Sequence, residues 1–296
     1  MRYLQMIVAA LAAAFMAQPA LARDTPLKVE VLRTSAGSLH VNSALIFGEK
    51  DAVLIDPPFT KADAHRVTAM VLDSGRRLTH IFVTHDHPDH FFSMDVLADA
   101  FPDAQIVAHP QVVDAIWRSL PFKVKRWSAV LGPNGPASPS APRPLSGDTI
   151  MLEGQELVVV GPMWGDHAVS TALWAPGIKA LFPGDLVFNQ MHLWLGEHRP
   201  EDIAAWHRSL VELARLEPEL VVAGHALPGL ANDASGIEFT LSYLEAWPGL
   251  VAVSKDSKDL QARIRAAFPD AIDVLDDFIL VNSTEVAMGE QPIWTE

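Results

Sequence analysis

The sequence predicts an α/β fold in which sheets are covered by helices. Short apolar runs typical of strands alternate with segments whose apolar residues recur at helical spacing, and this mixture occurs in both halves of the chain. The 296 residues are 49% hydrophobic and 20% charged, which supplies enough apolar material for a large core. No long low-complexity tract interrupts them.

In the first half, apolar runs and helical spacing alternate regularly. The runs predict strands at 27–31, 41–47, 52–55, 80–83 and 106–108. Apolar residues three or four apart predict helices at 61–74, 91–101 and 112–120. Gly75 and Pro102 follow the first two of these helices and predict where they end.

The second half continues the same pattern after a segment rich in Pro, Ser and Ala at 132–147. Its proline content predicts a surface loop; an interdomain linker is the alternative, but similar strand-like runs follow it. These runs predict strands at 151–152, 156–160, 170–174, 178–182 and 220–222. Pro200, followed by two acidic residues, predicts a helix start, and the chain after 222 is predicted to be largely helical to about residue 280.

Residues 1–22 predict an export signal. A positively charged Arg2 precedes a short apolar stretch, and residues 20–22 read Ala-Leu-Ala, a small-x-small cleavage site. A membrane anchor is the alternative, but the apolar stretch is shorter than the ~20 residues that span a bilayer. We predict cleavage after Ala22, a mature domain over 23–296, a periplasmic or secreted location, and no stable membrane insertion after cleavage.

Charge and cysteine content exclude several classes of function. Lys+Arg number 22 and Asp+Glu 36, and the resulting net charge of −14 disfavours nucleic acid as a partner. The absence of cysteine excludes disulfides, thiolate nucleophiles and Cys-ligated metal sites. No G-x-S-x-G nucleophile motif occurs either. The chemistry must therefore use oxygen and nitrogen groups.

The segment 85–90 reads His-Asp-His-Pro-Asp-His and follows an apolar strand directly. Neutral imidazole suits zinc, and aspartate adds a hard oxygen ligand. A polar loop with coincidental histidines is the alternative, but only 12 of the 296 residues are histidine. Three further candidates, each beside a strand-like run and a glycine, lie later in the chain: His167, Asp185 and His225.

This order of residues resembles the metallo-β-lactamase-fold hydrolase superfamily, whose pattern is H-x-H-x-D-H followed by a single His, a single Asp and a final His. The resemblance covers nearly the whole mature chain, and Asp56 matches an early strand-end aspartate of the superfamily. It implies an αββα sandwich with two metal ions at one edge of the sheets. The first metal would be held by His85, His87 and His167, the second by Asp89, His90 and His225, with Asp185 bridging both.

The resemblance implies two Zn²⁺ per chain, with iron or manganese as alternatives. Such a pair lowers the pKa of a bridging water toward ~7, and the resulting hydroxide attacks a carbonyl carbon. Asp89 would orient the hydroxide and move its proton. The chain departs from lactamase subclasses with a Cys ligand, and His87, where oxygen-reducing di-iron relatives have an acid, favours hydrolysis.

Four further residues are weaker candidates. His192 is expected to contact substrate or a tetrahedral oxyanion, and Trp194 and Trp164 are candidates for the wall of an apolar pocket. Asp166 is a candidate hydrogen-bond partner for a ligand histidine. For each of them an ordinary packed-loop or turn residue is the alternative.

We therefore expect an exported, zinc-dependent hydrolase that cleaves an ester or lactone bond of a small molecule, for example an acyl-homoserine lactone. A lactam hydrolase and a non-catalytic metal-binding or sensor protein are the alternatives. Thioester hydrolysis of the glyoxalase type is disfavoured because no convincing basic cluster would bind glutathione carboxylates. RNA processing is disfavoured by the charge and the export signal. The sequence leaves the oligomeric state open.

Overall fold

Two β-sheets form the centre of the molecule in the computed structural model, which describes residues 25–295. The predicted export signal at 1–22 lies outside these residues. The strands of the first sheet, in spatial and chain order, are β1 (Lys28–Arg33), β2 (Asn42–Phe47), β3 (Asp51–Ile55), β4 (Arg77–Val83), β5 (Gln105–Ala108) and β6 (Arg143–Pro144). Those of the second, in chain order, are β7 (Thr149–Leu152), β8 (Gln155–Met163), β9 (Ser170–Ala175), β10 (Ala180–Asn189) and β11 (Leu220–Ala226).

Pairing direction changes along each sheet. In the first sheet the pairs β1–β2 and β2–β3 are antiparallel, whereas the pairs β3–β4, β4–β5 and β5–β6 are parallel. In the second sheet the spatial order follows the chain from β7 to β11, and only the β10–β11 pair is parallel. The carboxyl ends of parallel strands lie at the same edge of a sheet. Residues that follow these strands therefore lie close together, and a binding site can form there.

Some of the described helices pack on the outer faces of the two sheets, and others pack against those helices. The helices are α1 (Lys61–Asp73), α2 (Met94–Ala100), α3 (Pro110–Leu131), α4 (Pro200–Ala214), α5 (Ser235–Val253), α6 (Ser257–Ala267) and α7 (Phe278–Ala287). None of the helices in the part of the chain described combines the length and the apolar character needed to cross a membrane.

Apolar packing defines four layers. Between the sheets, Ile46 and Phe82 of the first meet Leu173 and Phe182 of the second in one buried cluster. The other face of the first sheet packs against α1 and α2, and the other face of the second packs against α4 and α5. This αββα arrangement confirms the fold class expected from the sequence.

Two elements extend beyond their predicted ranges of 112–120 and 178–182. α3 runs through Pro121 to Leu131, and β10 runs past Pro183 and Gly184 to Asn189. In β10 the positive φ of 52° at Gly184 accompanies a shift in the pairing with β11, so the strand bends there and continues. The predicted loop at 132–147 is confirmed apart from a short 3-10 turn and β6.

Trp206 tests the packing of α4 on the second sheet. Its side chain is fully buried and its indole N–H donates to the Leu186 carbonyl at 2.9 Å. We expect Trp206→Ala to lower the free energy of unfolding by about 3–5 kcal/mol in a urea titration, because it leaves a cavity. Leu72→Ala is the control: Leu72 on α1 is 65% exposed, and its truncation is expected to cost less than about 0.5 kcal/mol. Equal effects of the two changes would contradict this packing.

Candidate metal centre

The histidine-rich segment is buried at the carboxyl end of β4. This strand ends at Val83, and after four intervening residues the chain enters a 3-10 turn at Pro88–His90. His85 and His90 are 0% exposed, Asp89 is 6% exposed and His87 is 8% exposed. The cluster predicted from the sequence therefore faces the interior of the protein.

The second sheet brings Asp185 of β10 and His225 of β11 to the same edge, and two glycines permit the close approach. A Cβ atom at Gly184 would lie 2.3 Å from Thr84 Oγ1, and one at Gly224 would lie 1.9 Å from Asp185 Oδ1. Both distances are far inside van der Waals contact, so a side chain at Gly184 would push the two sheet edges apart, and one at Gly224 would displace the Asp185 carboxylate.

The buried donor atoms form two adjoining groups. Within each group, one donor atom of every member lies within 4.8 Å of the others. The first group is His85, His87, Asp166 and Asp185; the second is Asp89, His90 and His225. Asp185 lies between them: its Oδ2 is 3.7 Å from His85 Nε2. Its Oδ1 is 3.1 Å from His90 Nε2, and its Oδ2 is 3.0 Å from His225 Nε2.

Several of these buried atoms make no hydrogen bond of suitable geometry within the described residues, although His90 Nε2 and Asp185 Oδ1 lie 3.1 Å apart. The atoms without such a bond are His85 Nε2, His90 Nε2, Asp166 Oδ1 and Asp185 Oδ1. A buried polar atom without a partner is costly, and here four of them face a common centre. Nitrogen and carboxylate oxygen are suitable ligands for divalent transition metals, so this donor set fits a pair of such cations.

Each of the four histidines is held by its other ring nitrogen. His85 Nδ1 lies 3.0 Å from Thr84 Oγ1, and His225 Nδ1 lies 2.8 Å from the Leu39 carbonyl oxygen. His90 Nδ1 contacts Asp56 Oδ2 at 2.9 Å, and His87 Nε2 contacts Glu197 Oε1 at 3.3 Å. These outer contacts orient the rings, so that the inner nitrogens are directed at the centre.

Asp56 connects two of these outer contacts. Its Oδ1 accepts the Thr84 backbone N–H at 2.9 Å, and its Oδ2 accepts the Thr84 hydroxyl at 2.8 Å as well as His90 Nδ1. Since the Thr84 hydroxyl donates to Asp56, its oxygen is available to accept His85 Nδ1–H. One buried carboxylate thus orients His85 and His90 together.

The electrostatics of the site favour positive charge. Burial alone lowers the pKa of His225, but Asp185 outweighs burial and raises that pKa to about 10. Burial alone raises the pKa of Asp185, but His225 and His90 hold it well below its usual range. Without a metal, His87, His90 and His225 therefore carry protons that balance the carboxylates, whereas burial lowers the pKa of His85 and keeps that ring neutral. Because metal ligands must be deprotonated, cations compete with these protons, and metal binding weakens as the pH falls.

His167, which the sequence assigned to the first metal, does not join either group. The Val169 backbone N–H donates to its Nδ1 at 3.1 Å, and the same nitrogen lies 3.2 Å from Asp86 Oδ1. The preceding residue, Asp166, is fully buried in the first group instead. Neighbouring residues of a tight turn direct their side chains differently, which the sequence pattern did not resolve.

The weaker candidates are placed differently from one another. His192 and Trp194 line the cavity above the donor groups, whereas Trp164 packs against His198 and is not among the residues that line it. Burial lowers the pKa of His192 to about 4, so this ring is neutral at pH 7. Its Nδ1 lies 3.1 Å from the Tyr243 hydroxyl, and its Nε2 has no partner within residues 25–295.

Sequence reasoning missed Glu197 and Tyr243, which lie in a loop and in α5. The Glu197 carboxylate accepts the Trp194 indole N–H at 3.0 Å and faces His87. Its pKa is raised by burial but lowered further by His87, to about 2, so it is ionised at neutral pH. Glu197 contacts His87 and Tyr243 contacts His192, and both partners are distant along the chain. No local sequence pattern around Glu197 or Tyr243 indicates these contacts.

The cavity has two chemically different walls. Asp89, Asp185 and His225 form one side. The other side is largely apolar and aromatic, with Phe59, Trp127, Trp194, Phe278 and Trp294. No lysine or arginine of residues 25–295 lines it. The cavity thus combines a cation-binding floor with an aromatic wall.

Known proteins share the sequence pattern and the fold of this chain. The sequence profile described as the metallo-beta-lactamase superfamily matches residues 36–225. No curated protein sequence matched the chain. A metallo-beta-lactamase family protein from Thermus thermophilus is similar in structure, with a TM-score of 0.62 at 19% identity over 89% of this chain and 91% of that one.

Two further solved structures are similar. The metallo-beta-lactamase from Pontibacter korlensis has a TM-score of 0.53 at 20% identity over 75% of this chain and 95% of that one. The DIM-1 metallo-beta-lactamase has a TM-score of 0.54 at 21% identity over 75% of this chain and 94% of that one. These similarities concern the fold.

Asp56 provides a test of the outer contacts. We expect Asp56→Ala to weaken metal binding by about 10–100-fold, because His85 and His90 lose the group that orients them. Zn²⁺ affinity would be measured by competition with a chromophoric chelator, and folding by circular dichroism. Asp103→Ala, at an exposed aspartate, is the matched control and should leave the affinity unchanged. Equal affinities in the two variants would refute the role given to Asp56.

Proposed function

The chain belongs to the metallo-β-lactamase superfamily, and from this premise we propose that it is an exported hydrolase with a two-zinc centre that cleaves ester or lactone bonds of small, uncharged, apolar molecules. The observation that carries the proposal is the convergence of unpartnered buried nitrogen and oxygen atoms at the floor of an aromatic cavity. The export part rests on residues 1–22.

Seven side chains are available to hold the cations: His85, His87, Asp166, Asp185, Asp89, His90 and His225. When bound, a pair of divalent cations lowers the pKa of a water molecule toward ~7 and polarises a carbonyl group. The protein's part is to hold these donors in place through the outer contacts of the four histidines, and to exclude bulk water with the aromatic wall.

Asp89 is the candidate proton acceptor. Its carboxylate lines the cavity, and its Oδ2 lies 3.3 Å from His225 Nε2. Burial raises the pKa of Asp89, but the neighbouring His90 and His225 together outweigh burial and lower it, so the group is ionised at neutral pH. An ionised carboxylate at this point can orient a water molecule and take its proton at the carboxylate oxygen.

The cavity wall favours an uncharged substrate. Six phenylalanine and tryptophan side chains line it and no lysine or arginine of the described chain does, so a substrate carboxylate would find no lysine or arginine to pair with there. β-Lactam antibiotics carry such a carboxylate, whereas simple lactones and esters do not. An aliphatic or aryl substituent would instead bury its surface against the aromatic wall.

His192 is the candidate contact for the substrate oxygen. It lines the same cavity, it is neutral at pH 7, and Tyr243 holds its Nδ1. When the Tyr243 hydroxyl donates to Nδ1, the proton of the ring resides on Nε2, which can then donate to an oxygen that gains negative charge.

Lactam hydrolysis is the second candidate. It is favoured by the likeness to solved proteins named metallo-beta-lactamases. The absence of lysine and arginine from the described cavity lining counts against it. A non-catalytic metal sensor would require the same donors but no turnover, so activity measurements separate these functions.

A substrate panel tests the bond type. We expect the purified protein to hydrolyse chromogenic esters and lactones, to lose the activity with a chelator and to regain it with Zn²⁺, because the cations activate the water. A nitrocefin-type lactam is the comparison substrate. Faster opening of the lactam would favour the second candidate, and metal binding without turnover of any substrate would favour the sensor.

Asp89→Asn tests the proton acceptor. We expect turnover to fall by about 10²-fold or more, the usual contribution of general acid–base catalysis. Thermal denaturation and metal content measured on the same sample separate this effect from misfolding or metal loss. Asp148→Asn, at an exposed aspartate, is the matched control. Unchanged turnover in Asp89→Asn would show that another group takes the proton.

A further inference from the structure

The turn between β8 and β9 directs Asp166, not His167, into the metal centre. We propose that Asp166 is a ligand of the first metal, and that this oxygen donor shifts the site's preference from Zn²⁺ toward harder cations such as Mn²⁺. The proposal rests on the metal centre described under Proposed function, but not on which bond the protein cleaves.

Backbone contacts fix Asp166 in this position. The backbone N–H of Gly165 donates to the His167 carbonyl at 3.0 Å, which closes a tight turn around Asp166. The N–H of Asp166 points to the Asp185 carbonyl at 3.3 Å, which ties the turn to β10. The Asp166 side chain is consequently buried, with Oδ1 unpartnered within residues 25–295 and 3.8 Å from His85 Nε2.

The contacts of His87 show which side of the ring faces the centre. The other three histidines each have one outer contact, to Thr84, Asp56 or the Leu39 carbonyl. For His87 the corresponding outer contact is Glu197, which meets Nε2. Asp166 Oδ2 lies 2.6 Å from the His87 Nδ1, and Asp166 Oδ1 lies 3.8 Å from His85 Nε2, so Nδ1 is the nitrogen that faces the centre. Asp166 meets His87 on the inner side, where a ligand belongs.

His167 is committed elsewhere. Its Nδ1 accepts the Val169 N–H and lies beside Asp86, and the residue borders a separate cavity together with Arg118 and Lys123. Its side chain is 19% exposed, whereas that of Asp166 is 1% exposed. Moving His167 into the centre would require breaking the turn.

The change of donor alters the charge and hardness of the site. With Asp166 the first group contains two imidazoles and two carboxylates, and three carboxylates serve the whole centre. Imidazole suits zinc, while carboxylate suits harder ions such as Mn²⁺. A third carboxylate also gives the centre an additional negative charge to balance two divalent cations. The added charge strengthens the binding of either ion, and the harder oxygen donor raises Mn²⁺ affinity relative to Zn²⁺.

Metal binding to four forms of the full chain tests the proposal: wild type, Asp166→Asn, Asp166→His and His167→Ala. Each would be stripped by chelation, and elemental analysis would give the equivalents of Zn²⁺ or Mn²⁺ that rebind. Competition with a chromophoric chelator would give the ratio of Zn²⁺ to Mn²⁺ affinity, and circular dichroism would verify folding. None of these measurements depends on turnover.

We expect wild type and His167→Ala to rebind two equivalents, and Asp166→Asn to rebind one. Asp166→His should rebind two, with a Zn²⁺ to Mn²⁺ affinity ratio at least tenfold above that of wild type. Since Asp166→His keeps a ligand, it remains informative should Asp166→Asn misfold.

Two results would overturn the proposal: loss of one equivalent in His167→Ala while Asp166→Asn keeps both, or an unchanged affinity ratio in Asp166→His. Absence of metal binding in wild type would overturn both this proposal and the proposed function. If the four forms bind metal as expected but wild type hydrolyses no substrate, only the proposed function would be overturned.

Discussion

The structure depends on the burial of four imidazoles and three carboxylates against one another at one edge of two sheets. Isolated charges at such depth would be expensive, since each leaves water without compensation. Here the opposite charges compensate each other, and Asp185 contacts histidines of both groups. The protons on His87, His90 and His225 supply positive charge that balances the carboxylates. Divalent cations would supply positive charge at the same place.

Close approach of the two sheets makes this concentration of charge possible. Thr84 is the point of contact: its carbonyl accepts both the N–H and the hydroxyl of Thr171 across the sheets, at 3.0 and 2.6 Å. Gly184 and Gly224 leave the space that Thr84 and Asp185 occupy. Backbone without side chains is therefore as necessary to the centre as the donors themselves.

Sequence patterns predicted the part of the site that follows from strand ends. The apolar run before His85 and the one before His225 made both strands recognisable, and a motif dense in histidine marked the edge where they meet. The sequence could not distinguish which of Asp166 and His167 points toward the centre, because that depends on the path of one turn, which hydrogen bonds at Gly165 and Val169 determine. Such bonds have no periodic signature in a sequence.

The substrate side of the cavity was beyond prediction for a different reason. Its aromatic wall joins Trp127 of α3, Trp194 of a loop, and Phe278 and Trp294 near the carboxyl terminus, with Trp194 and Phe278 stacked at 5.6 Å. Their proximity arises only when α3 and α7 pack beside the sheet edge. Because the sheets position the metal ligands and these outer elements shape the wall, changes in the wall can alter substrate preference without disturbing the donors.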